Sequence, residues 1–480
     1  MTVSLPEGGI SGHAQSDDAL VEASVQSRAL HHVLVAERGA GMPDRLRHLA
    51  AHDLPGIAVV GGGTMGAGIA FALLSAGCSV TVLEADDEGA SRAEANLAKL
   101  VEVGLGRGFL TSGSVEALRS RLTVTTDYSR ASGCGLAIEA AFESMDVKRQ
   151  VLLALEAALP RDAVLATNTS YLDIDTMAEV LDDPARLVGL HFFAPAHIMK
   201  LLEIVQGRKS SDAAVALGFA LAGRLRKVPV LAGVCDGFIG NRILARYREA
   251  ADTLLMDGST PWDIDEAMVD FGYRMGPYEA QDLSGLDIAH ANRRRQDATR
   301  DRNRRYIPIA DRMVAEGRFG RKAAVGWYRY PGGGGKVIDP LVEDLVREEA
   351  YFAKVTRRTF TADDIRHRLL LAMINEAAEI LFEGIAASAS DIDLVTIHGY
   401  GFPRWRGGLM HYAETLGAEE ILAALHELAK EDPVVWRPSR MIVDCVGRGV
   451  TFAEWRRREA VPSLAPAGQS APFSGSPGAL

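Results

Sequence analysis

His191 and Glu203 stand twelve residues apart in the segment Gly189-Leu-His-Phe-Phe-Ala-Pro-Ala-His-Ile-Met-Lys-Leu-Leu-Glu-Ile-Val205. His191 ends one apolar run and Glu203 lies within the next, with Pro195 in the turn between them. Two strands joined by such a loop can bring an imidazole and a carboxylate side by side. The carboxylate then fixes the tautomer and stabilises the imidazolium as the histidine takes up a proton. Taken alone, a His and a Glu at this separation are more often an unrelated pair. A second constellation lies upstream, where Gly61, Gly63 and Gly66 form G-x-G-x-x-G directly after the apolar run Ile57–Val60 and ahead of a helix expected over Ile69–Ala76. The first glycine permits a tight turn, the second lets the backbone approach a pyrophosphate, and the third lets helix and strand pack closely. Thr64 and Met65 lie between them, where a helix N-terminus offers unpaired N–H groups to phosphates. Glu84 ends the next apolar run, Val80–Leu83, where a ribose diol would sit. A carboxylate there accepts from the diol and repels a 2′-phosphate, and no Arg or Lys stands between Glu84 and Arg92, so the expected cofactor is NAD rather than NADP. Asp86 and Asp87 read equally well as caps of the following helix.

These residues need a frame that holds loops at strand ends. Apolar, β-branched runs at Ile57–Val60, Val80–Leu83, Leu122–Thr125, Val164–Ala166, Leu187–Leu190 and Leu201–Val205 alternate with Ala- and Leu-rich helical stretches. That alternation predicts a mostly parallel sheet with helices on both faces, an α/β Rossmann-type domain. After Asp236 the pattern predicts helices only, and it repeats. Glu249-Ala-Ala, Asp263-Ile-Asp265 and the turn Gly272 to Gly276-Pro277 recur as Glu376-Ala-Ala, Asp391-Ile-Asp393 and Gly399 to Gly401-Phe-Pro403. A duplicated helical unit is the economical explanation, with Gly332 to Gly335 marking a loop. The expected organisation is a disordered N-terminus over 1–25, a linker helix region over 26–54 and a Rossmann domain over 55–235. Two tandem helical domains over 236–352 and 353–460 follow, and then a disordered tail over 461–480. In the linker helix, Leu30, Val33, Leu34 and Val35 are expected to bury an apolar face.

With the motifs Thr167-Asn-Thr-Ser170, Glu139-Ala-Ala-Phe-Glu-Ser-Met-Asp-Val-Lys148, Gly237-Phe-Ile-Gly-Asn-Arg242 and Gly399-Tyr-Gly-Phe-Pro-Arg-Trp-Arg-Gly-Gly408, the chain resembles the (S)-3-hydroxyacyl-CoA dehydrogenases from about Ser27 to Gly449. It looks most like the dehydrogenase half of the multifunctional β-oxidation enzymes, without their enoyl-CoA hydratase domain ahead of the linker. The resemblance implies an NAD-binding Rossmann domain, two tandem all-α C-terminal domains, an acyl-CoA thioester substrate and a His191–Glu203 dyad. It implies that Ser170 and Asn241 contact the substrate oxygen, and that Glu143 and Lys148 join Gly61, Gly63, Thr64, Met65, Gly66 and Glu84 as cofactor contacts. Arg107 falls in the helical hairpin that contacts CoA in the family, as a candidate phosphate ligand. Read without the family, Ser170 is as well a turn residue and Asn241 a helix cap. His197 reads as packing rather than a second base. Ala194 stands where the family often has Asn or Ser, and Lys322-Ala-Ala-Val-Gly326 replaces a usual Lys-Thr-Gly-x-Gly turn.

Composition narrows the classes. Of 480 residues, 63 are acidic and 52 basic, and a net charge of −11 argues against non-specific nucleic-acid binding or adhesion to an anionic membrane. The basic run Arg293–Arg305 is the local exception; a solvated helix face is the preferred reading over a CoA-phosphate patch. Cys78, Cys134, Cys235 and Cys445 lie far apart, without metal or disulfide-scaffold spacing, which suits a reducing compartment. No apolar stretch approaches the roughly 18 residues of a membrane span. The N-terminal stretch lacks a signal-peptide pattern, and the last three residues are not the peroxisomal Ser-Lys-Leu address, so the cytoplasm is expected. Expected partners are the thioester substrate, a separate hydratase or thiolase, and a second copy of the chain. The rival readings are a hydroxy-acid dehydrogenase on the same fold and a non-catalytic docking subunit of a β-oxidation complex.

Overall fold

A computed structural model describes residues 12–49 and 56–455. The expected disorder over 461–480 and over the first residues of the chain lies outside the described residues. Eight strands form one sheet: β1 (Gly56–Val60), β2 (Val80–Leu83), β3 (Leu122–Thr125), β4 (Cys134–Glu139), β5 (Val164–Thr167), β6 (Leu187–Phe192), β7 (Leu201–Gln206) and β8 (Val228–Gly233). Their order is β3-β2-β1-β4-β5-β6-β7-β8, and every neighbouring pair is parallel except β6–β7. The six apolar runs are all strands. The two that the sequence pattern did not reveal have local reasons. β4 is built of small residues that read as helix, and β8 carries Pro229, which suits the edge position it occupies.

Around the sheet lie α1 (Gly12–Gly39), α2 (Thr64–Ser75), α3 (Asp87–Gly106), α4 (Ser112–Arg119), α5 (Met145–Ala158), α6 (Ile174–Ala178) and α7 (Asp212–Arg224). The first helical copy holds α8 (Gly240–Asp257), α9 (Pro261–Phe271), α10 (Pro277–Ser284), α11 (Leu286–Gln296), α12 (Ile309–Ala315) and α13 (Pro340–Phe352). The second holds α14 (Ala362–Glu383), α15 (Ala389–Tyr400), α16 (Leu409–Leu416), α17 (Ala418–Leu428) and α18 (Arg440–Arg448). A two-stranded ribbon, β9 (Tyr328–Arg329) and β10 (Val337–Ile338), flanks the Gly332–Gly335 loop where only helix was expected.

Successive strand side chains enter two different cores. Ile57 and Val59 of β1 join a core with α2 and α7, whereas Ala58 and Val60 join the one that continues into the helical copies. The same parity fixes the dyad. Leu190 and Phe192 of β6, like Leu202 and Ile204 of β7, point to the first core, so His191 and Glu203 face the helical copies.

The N-terminal expectation needs correction. The helix bounds of α1 begin at Gly12, inside the stretch expected to be disordered. The buried stripe is Ala29, Val33 and Ala36, while Leu30, Leu34 and Val35 stay exposed. Polar anchors on either side of that stripe set the rotation of the helix. His32 reaches Asp393 at 2.8 Å, and Glu37 receives His398 at 2.8 Å and Arg404 at 2.7 Å.

Candidate active site

The antiparallel return of β7 onto β6 sets His191 directly opposite Glu203. Opposite residues in such a pair project from the same face, and the imidazole Nδ1 lies 2.6 Å from Glu203 Oε2. Both side chains are buried. The second oxygen of Glu203 accepts the Gly240 N–H at the start of α8, at 2.9 Å, so the carboxylate is held from both ends. The other imidazole nitrogen, Nε2, faces the Ser170 hydroxyl at 3.3 Å. A histidine whose Nδ1–H is given to a carboxylate keeps an Nε2 lone pair on its open side, the arrangement of a general base.

Ser170 lies in the loop after β5, and that loop is tied down. Glu143 accepts the Ser170 N–H at 2.9 Å and the Thr169 hydroxyl at 2.5 Å, while Asn168 accepts the Phe192 N–H at 2.9 Å. Asn241 does not cap α8, whose flanking residue is Ile239 without a side-chain cap. Its Oδ1 accepts the Tyr400 hydroxyl at 2.8 Å. Ser170, His191 and Glu203 thus form one bonded chain, and Asn241 adjoins it through Gly240.

The glycine loop follows β1, and α2 starts at Thr64, earlier than its apolar pattern suggested. Gly61 has φ +92°, and a Cβ there would meet the Ala140 carbonyl oxygen at 2.8 Å; a Cβ on Gly66 would run into the Gly61 carbonyl. Gly63 has no atom within 4 Å of a Cβ position, so its face is open to a ligand. No side chain caps the first-turn N–H groups of α2, and no acid stands in that turn. A dinucleotide pyrophosphate fits this cradle. Glu84 accepts the Gly62 N–H, and Asn96 donates to the Gly62 carbonyl at 2.9 Å, so the ribose-side acid also shapes the loop. Asp86 caps α3 through the Gly89 N–H at 2.7 Å.

Lys148, expected as a cofactor contact, is engaged by carboxylates of the protein. Its ammonium is buried and donates to both oxygens of Glu139 at 2.8 and 2.9 Å, with Glu143 at 3.3 Å. Its geometry is that of a brace for Glu143. Glu139, which nothing but its motif singled out, also accepts the Thr167 hydroxyl at 2.7 Å. Arg107 sits exposed at the C-terminal end of α3 and bonds to none of these residues. His197 packs edge-on against Phe71, 5.5 Å between centroids, and burial beside Lys227 holds its pKa down. Lys227, pushed by burial to about 8, ties the β6–β7 loop through the Ala196 carbonyl at 2.7 Å. The basic run is less solvent-facing than expected: Arg293, Arg295, Arg304 and Arg305 pair with Asp311, Asp236, Glu249 and Asp257.

A Rossmann sheet with an open glycine cradle beside a buried His–Glu pair defines a nucleotide-dependent dehydrogenase architecture. The family model of the 3-hydroxyacyl-CoA dehydrogenase NAD-binding domain matches residues 56–235, and that of the C-terminal domain matches 237–330. The chain belongs to the 3-hydroxyacyl-CoA dehydrogenase family. It is 36% identical to the peroxisomal bifunctional enzyme of Cavia porcellus over 461 residues, covering 92% of this chain and 63% of that one. The chain thus spans a little under two thirds of such relatives. The solved structure of 3-hydroxybutyryl-CoA dehydrogenase from Escherichia coli K12 superposes with a TM-score of 0.71 at 27% identity, covering 82% of this chain and 98% of that one. The dehydrogenase part of multifunctional enzyme 1 from C. elegans gives 0.64 at 27% identity, covering 86% and 96%.

Proposed function

We propose that the chain is an NAD-dependent (S)-3-hydroxyacyl-CoA dehydrogenase that reversibly converts the C3 hydroxyl of an acyl-CoA thioester to a ketone. The observation that carries this reading is the bonded chain Ser170–His191–Glu203–Gly240 on the sheet face below the helical copies. His191 Nε2 takes the hydroxyl proton as the C3–O bond becomes a carbonyl, and Glu203 holds the resulting imidazolium in place. Ser170 and Asn241 hold the oxygen, and their hydrogen bonds strengthen as charge develops on it. Glu143 and its brace Lys148 keep the Ser170 loop at the correct depth. Gly61, Gly63, Thr64, Met65 and Gly66 would hold NAD, with Glu84 at its ribose, and the bound nicotinamide would supply the acceptor for the C3 hydride.

Residues 236–352 and 353–460 serve in this reading as two copies of one helical unit. Arg107 is proposed to meet a CoA phosphate. No described helix is long and apolar enough to cross a membrane. A cytoplasmic location is proposed from the reducing-compartment cysteine pattern, against relatives named as peroxisomal, and a fluorescent fusion scored against a peroxisomal marker decides it. A separate hydratase or thiolase, or a second copy of the chain, is proposed as the protein partner.

The experiment is NADH formation with a series of (S)-3-hydroxyacyl-CoA thioesters, with NADP in parallel. His191→Ala is expected to lower turnover by about 10²–10⁴-fold while the protein stays folded and binds NAD. Wild-type turnover in the purified variant, or no turnover of any thioester by the wild type, refutes the reading.

A further inference from the structure

Tyr400 closes α15, in the second helical copy, yet its side chain lies against the dehydrogenase site. Its hydroxyl bonds Asn241, and its ring meets Phe193 edge-on with centroids 5.7 Å apart. Phe193 in turn rests on the His191 ring at 4.5 Å. Gly240 lies against the same tyrosine: a Cβ there would come within 3.0 Å of the ring and 3.1 Å of the hydroxyl oxygen. A Cβ on Gly399 would approach Leu201 at 2.9 Å, so the end of α15 is pressed onto the dyad strands. One side chain therefore borders both arms of the site, the oxygen-holding Asn241 and the Gly240 N–H that anchors Glu203.

An asparagine amide has a donor side and an acceptor side, and only its NH₂ can donate to a substrate oxygen. Burial pushes the Tyr400 hydroxyl well above the ordinary phenol range, so it keeps its proton and needs an acceptor. Asn241 Oδ1 is that acceptor, which turns Nδ2 away from Tyr400.

We propose that Tyr400 is a positioning residue for the reaction, through which the second helical copy completes the site by holding Asn241 in its donor orientation. This rests on the dehydrogenase reading above. Tyr400→Phe keeps the ring and its contact with Phe193 and removes only the hydrogen bond. The expected result is a fall in kcat of about ten-fold, with the KM for NAD unchanged and the melting temperature lowered by no more than about 2 °C, since misplaced contacts to the reacting atoms act on turnover. Tyr273→Phe, at the matching place in the first copy, serves as the control and is expected to leave kcat unchanged. In an Asn241→Ala background, adding Tyr400→Phe is expected to cost nothing more, because the amide it orients is gone. Wild-type kcat in Tyr400→Phe overturns the inference, as does an equal ten-fold loss in the Asn241→Ala background. A wild type inactive on every thioester overturns the dehydrogenase reading itself, and Tyr400's role with it; an active wild type beside an unaffected Tyr400→Phe removes the role alone.

Discussion

Asp265 and Asp393 occupy the same place in the two helical copies and do the same work with different helpers. Asp265 accepts the N–H groups of Tyr278 and Glu279 at the start of α10, at 2.8 and 2.9 Å. Asp393 accepts those of Met410 and His411 at the start of α16, at 2.7 and 3.2 Å. In each copy a glycine, Gly276 or Gly408, stands where any Cβ would collide with the aspartate. The third donor differs. Asp265 receives the Tyr328 hydroxyl from its own copy at 2.8 Å, whereas Asp393 receives His32 from α1. The tyrosines that follow the repeated glycine diverge as well. Tyr273 is buried against Tyr247 and Phe271, while Tyr400 reaches the site. The turn survives duplication because the aspartate, its glycine and its two N–H donors lie close together in the chain. The outward side chains take their roles from whichever surface each copy meets.

The largest test of that equivalence removes the aspartates. Asp265→Ala and Asp393→Ala each strand three donors in a buried place, and each is expected to lower unfolding stability by about 3 kcal/mol or more. Urea titration reads both, and a near-neutral result for either would break the parallel. A smaller effect comes from pH. Burial raises the Asp265 carboxyl to about 6 and raises Asp393 in the same direction. The folded chain then binds more protons at these sites than the unfolded chain, between the ordinary carboxylate range and about pH 6. This contribution to stability therefore grows as pH falls from 7 to 5 and fades as pH rises through 6. Relative to Asp265→Asn, which does not titrate, the wild type is expected to gain about 1 kcal/mol over that interval. No change in the difference between the two unfolding curves would place the titration elsewhere. The smallest effect separates the third donors. His32→Ala and Tyr328→Phe are each expected to cost about 1 kcal/mol, but only His32→Ala should speed hydrogen exchange along residues 24–39. Equal exchange in both variants would mean that α1 is held by its apolar stripe and Glu37 alone.

Much of the fold is legible in the sequence alone. Continuous apolar runs marked six strands because a strand buried on both faces must be apolar along its length. The glycine triplet marked the phosphate cradle because backbone collisions at Gly61 and Gly66 exclude every other residue. The internal repeat was visible because the buried aspartate and its glycine must keep their spacing.

Other features depend on partners far away in the chain, and no local pattern carries them. The rotation of α1 is set by Asp393, His398 and Arg404, so its apolar residues could not say which of them would be buried. Lys148 is spent on Glu139 and Glu143, a fact that charge alone does not announce. The dyad itself sits between the two cases. Its residue types and its two strands came from the sequence. That His191 and Glu203 fall opposite each other, on the face where α8 supplies Gly240 and α15 supplies Tyr400, was decided by the register of β6 on β7 and by the packing of two copies that read almost alike.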